Sequence, residues 1–313
     1  MSVPAAGGAA GGAAGGAAGG AAGGAPNETI RGQLAHRSAR WFTDEAVSDA
    51  DWDALYAVAS RTATAVYLQQ TTIIRVIDED VRAAIAAASG QSYVGPGNGE
   101  MLVFVADLAR NAAVFQRAGG SSTADAAADA AAAAAAAAGE TGLFWRAFED
   151  TLLAAQNVVV AAESLGLGAC LIGSISNDYR SVVRALELPR YTFPVVAMIL
   201  GHPARGGRLR PRLPREITVS TDRYSPVSDH WEAFDRFDAE VAEYYAGRAD
   251  AAKRRRAAGG REAAGAAAGG SDDRAAARHS FSDQVTAKFS GRAREPGGAD
   301  LLAALREQGL ATH

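Results

Sequence analysis

The apolar positions of this chain change period several times, and each change marks an element. Ile30, Leu34 and Ala35 share one helical face, and Asn27 ahead of Glu28 is a helix cap. Ser48, with Asp51 three residues on, is a capping-box-like start. Trp52, Leu55, Tyr56 and Ala59 follow it at helical spacing. The β-branched run Ile73, Ile74, Val76, Ile77 makes Thr71–Asp78 a strand. Val81–Ala88 is a short helix that ends at Gly90, and Met101–Ala106 is a second strand. Phe144, Phe148, Leu152, Ala155, Val159 and Ala162 then return near one face of a long helix, Phe144–Leu165, which Gly166 terminates. Ala169–Gly173 is a third strand, Asn177 or Asp178 caps the next helix, and Phe193–Gly201 is a fourth strand. Asp229–Arg248 reads as a final amphipathic helix.

This alternation of helices and strands imitates a doubly wound parallel sheet, but the glycines argue against that reading. A dinucleotide fingerprint needs its glycines after a strand and before a helix. Here Gly95-Pro96-Gly97-Asn98-Gly99 precedes the strand Met101–Ala106, and Gly166-Leu167-Gly168 precedes Ala169–Gly173. Both stretches are turns on this reading.

Composition changes the picture of size. Of 313 residues 48% are apolar, but alanine inflates that share. Residues 5–25 are only Ala and Gly, residues 119–142 hold the unbroken alanine run Ala130–Ala138, and residues 249–278 are mostly Ala, Gly and Arg. Setting these aside leaves roughly 240 residues for a core, enough for one domain or two interlocked ones. The expected organisation is a disordered tail over 1–25 and a main domain over 26–248 with a low-complexity insertion at 119–142. A disordered linker insertion over 249–278 follows, and 279–313 is the C-terminal segment of the same domain.

A formal net charge of −4 argues against a general nucleic-acid binder. A single cysteine excludes an intrachain disulfide framework and a cysteine zinc site. No apolar run approaches the roughly 18 residues of a membrane span, and the N-terminal residues lack the basic-then-leucine-rich pattern of a secretory signal. The expectation is a soluble cytoplasmic protein.

Four segments carry candidate chemistry. His36-Arg37-Ser38-Ala39-Arg40 offers two planar guanidinium forks, a hydroxyl and an imidazole, a set suited to phosphate oxygens or to a solvated basic turn. In Arg210-Pro211-Arg212-Leu213-Pro214, prolines stiffen a loop with two more arginines; together the pairs make a focused anion site in an otherwise acidic chain. Thr64-Ala65-Val66-Tyr67, ahead of Gln69-Gln70-Thr71-Thr72, suits a loop lying against a planar heterocycle, or simply a capped helix start. Gly168-Ala169-Cys170-Leu171-Ile172-Gly173-Ser174 ends in small residues that let a ligand approach backbone amides. Cys170 within it reads as a small buried residue. No histidine shows metal spacing or a triad context, and no carboxylate pair stands out, so any chemistry falls to a cofactor.

Taken in order, these segments resemble the nitroreductase superfamily, in its branch of oxygen-insensitive NADPH nitroreductases and NADPH–flavin oxidoreductases. The similarity runs from His36-Arg37-Ser38-Ala39-Arg40-Trp41-Phe42 through Leu68-Gln69, Gly90-Gln91 and Ala155-Gln156-Asn157. It continues in Ala161-Ala162-Glu163-Ser164-Leu165-Gly166-Leu167-Gly168, Ile172-Gly173, Pro211-Arg212-Leu213-Pro214 and Ala242-Glu243-Tyr244-Tyr245, and ends between Ser282 and Thr312. The resemblance implies an α+β, nitroreductase-like fold: a mainly antiparallel mixed sheet flanked by helices, in an intertwined homodimer with FMN at each of two interface sites. Carried over position by position, it implies that Arg37 and Arg212 hold the FMN phosphate, helped by His36, Ser38 and Arg210. It places Arg40 near the flavin pyrimidine, where a positive charge favours the reduced anion, and Gln91 against the ring. Ile172, Gly173 and Ser174 offer amides to the reactive edge. Thr64 belongs to the cofactor side, Val66 and Tyr67 to the substrate side, and Arg248 and Arg294 to the NADPH phosphate.

The family's serine-rich tract is here Thr64-Ala65-Val66-Tyr67, which makes the substrate side greasier. The implied activity is ping-pong hydride transfer, with NADPH reducing FMN and a nitroaromatic, quinone or free flavin taking the electrons. A flavin reductase that supplies a partner monooxygenase is a close variant; a non-catalytic flavin-binding or scaffold protein is the rival class.

Overall fold

The computed structural model describes residues 27–118, 124–257, 280–290 and 301–313. Its centre is one sheet of four strands, β1 (Thr71–Val76), β2 (Glu100–Asp107), β3 (Gly168–Ile172) and β4 (Thr192–Gly201), in the order β1-β2-β4-β3. Every neighbouring pair is antiparallel, so the helix–strand alternation does not build a parallel sheet. The two inner strands are almost wholly buried and therefore read as unbroken apolar runs, while β1 at the edge is only partly covered. Pro194 lies inside β4, where it has no N–H to give the ladder. The register slips between Phe104 and Val105, whose partners are Val196 and Pro194, and that irregularity accommodates the proline.

Side-chain alternation divides the core into two layers. Leu102, Phe104 and Ala106 of β2 pack with Met198 and Leu200 against α2 (Asp49–Ser60) and the long α6 (Thr141–Ser164), through Leu55, Ala147, Ala155 and Val159. Met101, Val103 and Val105 face the other way, toward Ile85 and Ala88 of α3 (Glu79–Ser89) and Val182 of α7 (Tyr179–Ala185). Leu55, Phe104 and Ile85 are completely enclosed, and each contributes roughly 1.5–3 kcal/mol by burial.

The caps follow the sequence closely. Asn27 accepts from Ile30 N ahead of α1 (Glu28–Leu34), Ser48 from Asp51 N, and Asp178 from Ser181 N. Asp78 caps α3 by accepting from Asp80 and Val81, so β1 ends two residues earlier than its β-branched run suggested. Gly90 and Gly166 take the left-handed conformations (φ 65° and 82°) that close α3 and α6.

Two alanine-rich tracts differ from expectation. Much of the 119–142 stretch is helix α5 (Ala124–Gly139), which packs with α4 (Ala109–Ala118) and α6 and buries Ala134 and Ala138. Alanine has the highest helix propensity and a methyl small enough for close approach, so low complexity here still builds core. Thr312 N donates to Gly139 O and Thr141 N to His313 O, locking the last residues onto the α5–α6 junction. Helix α8 (Trp231–Ala257) runs through Arg248 into the stretch read as a linker, because Ala, Arg and Lys extend a helix readily. The expected linker boundary is therefore moved from 249 to beyond 257. The rest of that stretch, 258–278, and the tail 1–25 lie outside the described residues.

Candidate functional site

The segment His36–Phe42 enters from α1 and crosses the end of the sheet. Ala39 N donates to Ala169 O (2.9 Å) on β3, and Thr43 N to His202 O (2.8 Å) just past β4. Gly168 leaves no room for a side chain, since a Cβ there would lie 2.6 Å from the Ala39 methyl. The Gly95–Gly99 turn holds the segment's other edge. Asn98 donates to Arg40 O (2.8 Å) and Tyr93 O (2.6 Å) and accepts from Phe42 N (3.1 Å). Behind that turn lies Arg82, a buried guanidinium of α3 that donates to Val94 O, Asn98 O and Gly99 O at 3.1, 2.7 and 2.6 Å. Burial lowers the Arg82 pKa, opposed by the Glu100 charge. The glycine-rich turn is thus a clamp on the segment carrying Arg37, Ser38 and Arg40.

Three of the candidate residues, Ser38, Arg40 and Arg210, lie around Cys170 in the middle of β3. Burial pushes the Cys170 thiol up, while the Arg40 charge, the Ser38 hydroxyl and the Arg210 charge pull it down, so all three lie near enough to act on one sulfur. A Cβ on Gly207 would lie 3.1 Å from Arg37 Cδ, so the loop that leads to Arg210 and Arg212 runs against Arg37. Arg37 and Arg212 donate only to nearby backbone carbonyls, at 3.4 and 3.3 Å, and neither they nor Arg210 pair with a carboxylate among the described residues. Gly173 opens the strand end, with free space where a Cβ would point; Ile172 before it is buried and Ser174 half-buried. Gln91 sits at the adjoining turn. Its N–H donates to Ser89 Oγ (3.2 Å), and Ser89 O accepts from Asn177 Nδ2 (3.1 Å), which joins that turn to the Gly173–Asp178 segment. His36 places Nδ1 2.8 Å from Glu163 near the end of α6.

Thr64, Val66 and Tyr67 are elsewhere. Ala65 N donates to Asp150 Oδ1 (2.9 Å) on α6. Asp150 and Glu163 are thirteen residues apart on one helix, which separates them by about 20 Å along the axis and about 140° around it. Val66, Tyr67 and Gln69 hold φ of 45°, 61° and 50° without being glycine, at a cost of roughly 1–3 kcal/mol each. Val66 and Tyr67 are 73% and 82% exposed, so no core contact offsets that strain. Arg248 lies within α8 one residue after Gly247, which faces the Arg208 guanidinium. Arg294 is outside the described residues.

Residues 34–202 match the Nitroreductase family, more than half of the chain and the whole span from the arginine segment to the end of β4. The chain belongs to the nitroreductase family. It is 36% identical over 221 residues to the oxygen-insensitive NADPH nitroreductase of Salmonella typhimurium, covering 70% of this chain and 83% of that one. It is 30% identical over 228 residues to the FMN reductase (NADPH) of Bacillus subtilis, covering 72% and 87%. Among solved structures, the NfrA1 nitroreductase of B. subtilis superimposes with a TM-score of 0.71 at 28% identity, over 91% of this chain and all of that one. The NADPH:FMN oxidoreductase of Vibrio harveyi, complexed with NAD+, gives 0.69 at 26% identity over 92% and 100%.

In this family member the arginine segment, the middle of β3 and the 207–210 loop form one cradle, and Thr64–Tyr67 belongs to a second group anchored at Asp150 of α6. The sequence reading missed Arg82, Asn98 and Asp150. Asn98 sat in the glycine turn already singled out; Arg82 and Asp150 fall on helical positions whose burial no local pattern marks. Among the described residues, no group of His, Cys, Asp and Glu is arranged for a metal, and no helix is long and apolar enough to cross a membrane.

Proposed function

We propose that this protein is an FMN-dependent NADPH oxidoreductase that passes two electrons to nitroaromatics, quinones or free flavin. The observation that carries the reading is the cradle: Arg37, Arg210 and Arg212, which have no carboxylate partners among the described residues, beside a strand end open at Gly173. Uncompensated arginines on braced backbone fit a phosphate, and an open small-residue edge fits the rim of a flat ring. FMN, when bound, supplies the hydride and electron chemistry that no side chain here provides. The residues' work is to bind and orient. Arg37 and Arg212, with His36, Ser38 and Arg210, neutralise the phosphate. Arg40 sets a positive charge toward the ring, Gln91 and the Ile172–Ser174 amides face its edge, and Arg248 and Arg294 receive the NADPH phosphate.

The two separated groups support a homodimer. One copy's Thr64–Tyr67 is anchored about 20 Å along α6 from the Glu163 contact of its own His36, whereas a second copy would bring its own segment across. The outer face of α6 fits that assembly, because Trp145, Leu152 and Leu153 stand exposed along it. The names of the similar proteins, two of which include both NADPH and FMN, support the same reaction class.

The decisive experiment is optical. Purified protein should be yellow, release FMN on denaturation and bleach when NADPH is added without oxygen. A colourless protein that takes up no FMN would overturn the reading. A steady-state panel of NADPH and NADH against nitrofurans, quinones and free FMN then ranks the acceptors.

A further inference from the structure

Residues Thr64–Gln69 form an arch over a cavity of about 580 Å3, whose lining includes Thr64, Leu68 and Gln69 from the arch, Tyr56 of α2, Val114 of α4 and Ala154 of α6. Two feet hold the arch. At the first, Ala65 N donates to Asp150 Oδ1. At the second, Asn111 Nδ2 donates to Leu68 O (3.0 Å) and Arg110 Nη2 to Gln69 O. Arg110 also donates to Thr72 Oγ1 (3.0 Å) and Thr71 O (3.2 Å) and lies 3.6 Å from Asp107, so its guanidinium is fixed from several sides. Between the feet, Val66 and Tyr67 stand in solvent in left-handed conformations.

Such a crown is unstable by itself. Two non-glycine residues with positive φ, one of them β-branched, persist only where their surroundings hold them. The crown has no core contacts, so the holding falls to Asp150, Arg110 and Asn111. Polar atoms are left unbonded at both feet: Asp150 Oδ2 is buried without a partner among the described residues, as are both amide atoms of Gln70. These costs stand beside a half-open cleft.

We propose that Asp150 at one foot and Arg110 with Asn111 at the other are positioning residues for the electron acceptor. They set the height of the Val66–Tyr67 crown, and the cavity behind it lets the crown yield to bulkier planar acceptors. This rests on the reading that Val66 and Tyr67 face the substrate; none of the three positioning residues touches flavin or substrate. Burial holds the Asp150 carboxyl above its usual range, opposed by the Ala65 N–H and reinforced by the Glu149 charge. Only Oδ1 accepts from the arch, so one acceptor oxygen suffices at that foot, and asparagine should replace the carboxylate there.

The test uses the FMN-loaded, full-length protein, with a small nitrofuran and a bulky quinone as acceptors. Asp150→Ala should raise KM for the quinone about tenfold and shift the preference between the two acceptors, with kcat and FMN content within about twofold of wild type. Asp150→Asn should restore both KM values. If Asp150→Ala does not fold, Arg110→Ala with Asn111→Ala carries the same expectation from the other foot. Unchanged KM ratios in both variants, or an Asp150→Asn enzyme as impaired as Asp150→Ala, would overturn the proposal. Tyr67→Ala separates the two levels. If it alters acceptor KM while the foot variants do not, only the positioning role fails; if it too leaves every KM unchanged, the substrate-side reading has failed.

Discussion

The cradle and the arch make the same kind of contact with opposite engineering. Around the cradle, Arg82 and Asn98 spend their donors on backbone carbonyls, and Gly168 lets β3 lie flat on Ala39. Nothing there needs a left-handed side chain. Around the arch, two polar feet hold a strained, exposed crown above a void. The contrast matches two demands on one oxidoreductase: a cofactor that stays calls for pre-set donors, whereas acceptors that differ in shape call for a surface able to shift.

The comparison breaks most visibly at Arg82. Arg82→Ala strands three carbonyls, two of them buried, and should cost about 3–5 kcal/mol of stability together with FMN retention, measured by denaturant unfolding and flavin content. Full stability and colour would show that the clamp is dispensable. Next come the phosphate contacts: Arg37→Ala or Arg212→Ala should each weaken FMN binding by about 1–3 kcal/mol in fluorescence titrations, without unfolding the chain. On the arch, Val66→Gly should change stability by no more than about 1 kcal/mol, because relief at a positive φ offsets the extra chain entropy. A loss on the scale of Arg82→Ala would put the arch and the cradle in one class.

Acidity sharpens the contrast further. The folded pKa of Asp150 lies above its unfolded value, so its neutral form favours folding at low pH and that contribution is lost as pH rises through the folded pKa. Asp150→Asn should therefore match wild type in acid, below about pH 4, and exceed it in unfolding free energy toward neutrality. A gap that widens in the other direction would contradict the assigned burial. The smallest effect is expected from deleting residues 1–25. An Ala/Gly sequence has little to bury, so turnover should be unchanged.

Much of this arrangement was legible before any coordinates. The β-branched and apolar runs gave the four strands, and Asn27, Ser48 and Asp178 marked their helices through side chains that bond locally. What escaped were features whose cause lies far along the chain. Arg82 looks like any helical arginine until the Gly95–Gly99 turn folds over it. Val66 argues against the left-handed backbone it adopts, since that conformation comes from Asp150, 84 positions later. The alanine tract misled in the opposite direction: its composition suggested a decoration, yet Ala134 and Ala138 pack because they are small.

Helix α6 joins the two regions, gripping the arch at Asp150 and His36 at Glu163. Substitutions between those anchors alter contacts one at a time. An inserted or deleted residue would instead rotate one grip by about 100° and slide it about 1.5 Å relative to the other. The phase between the two regions is therefore written in a residue count, and this stretch of helix should accept new side chains far more readily than any change of length.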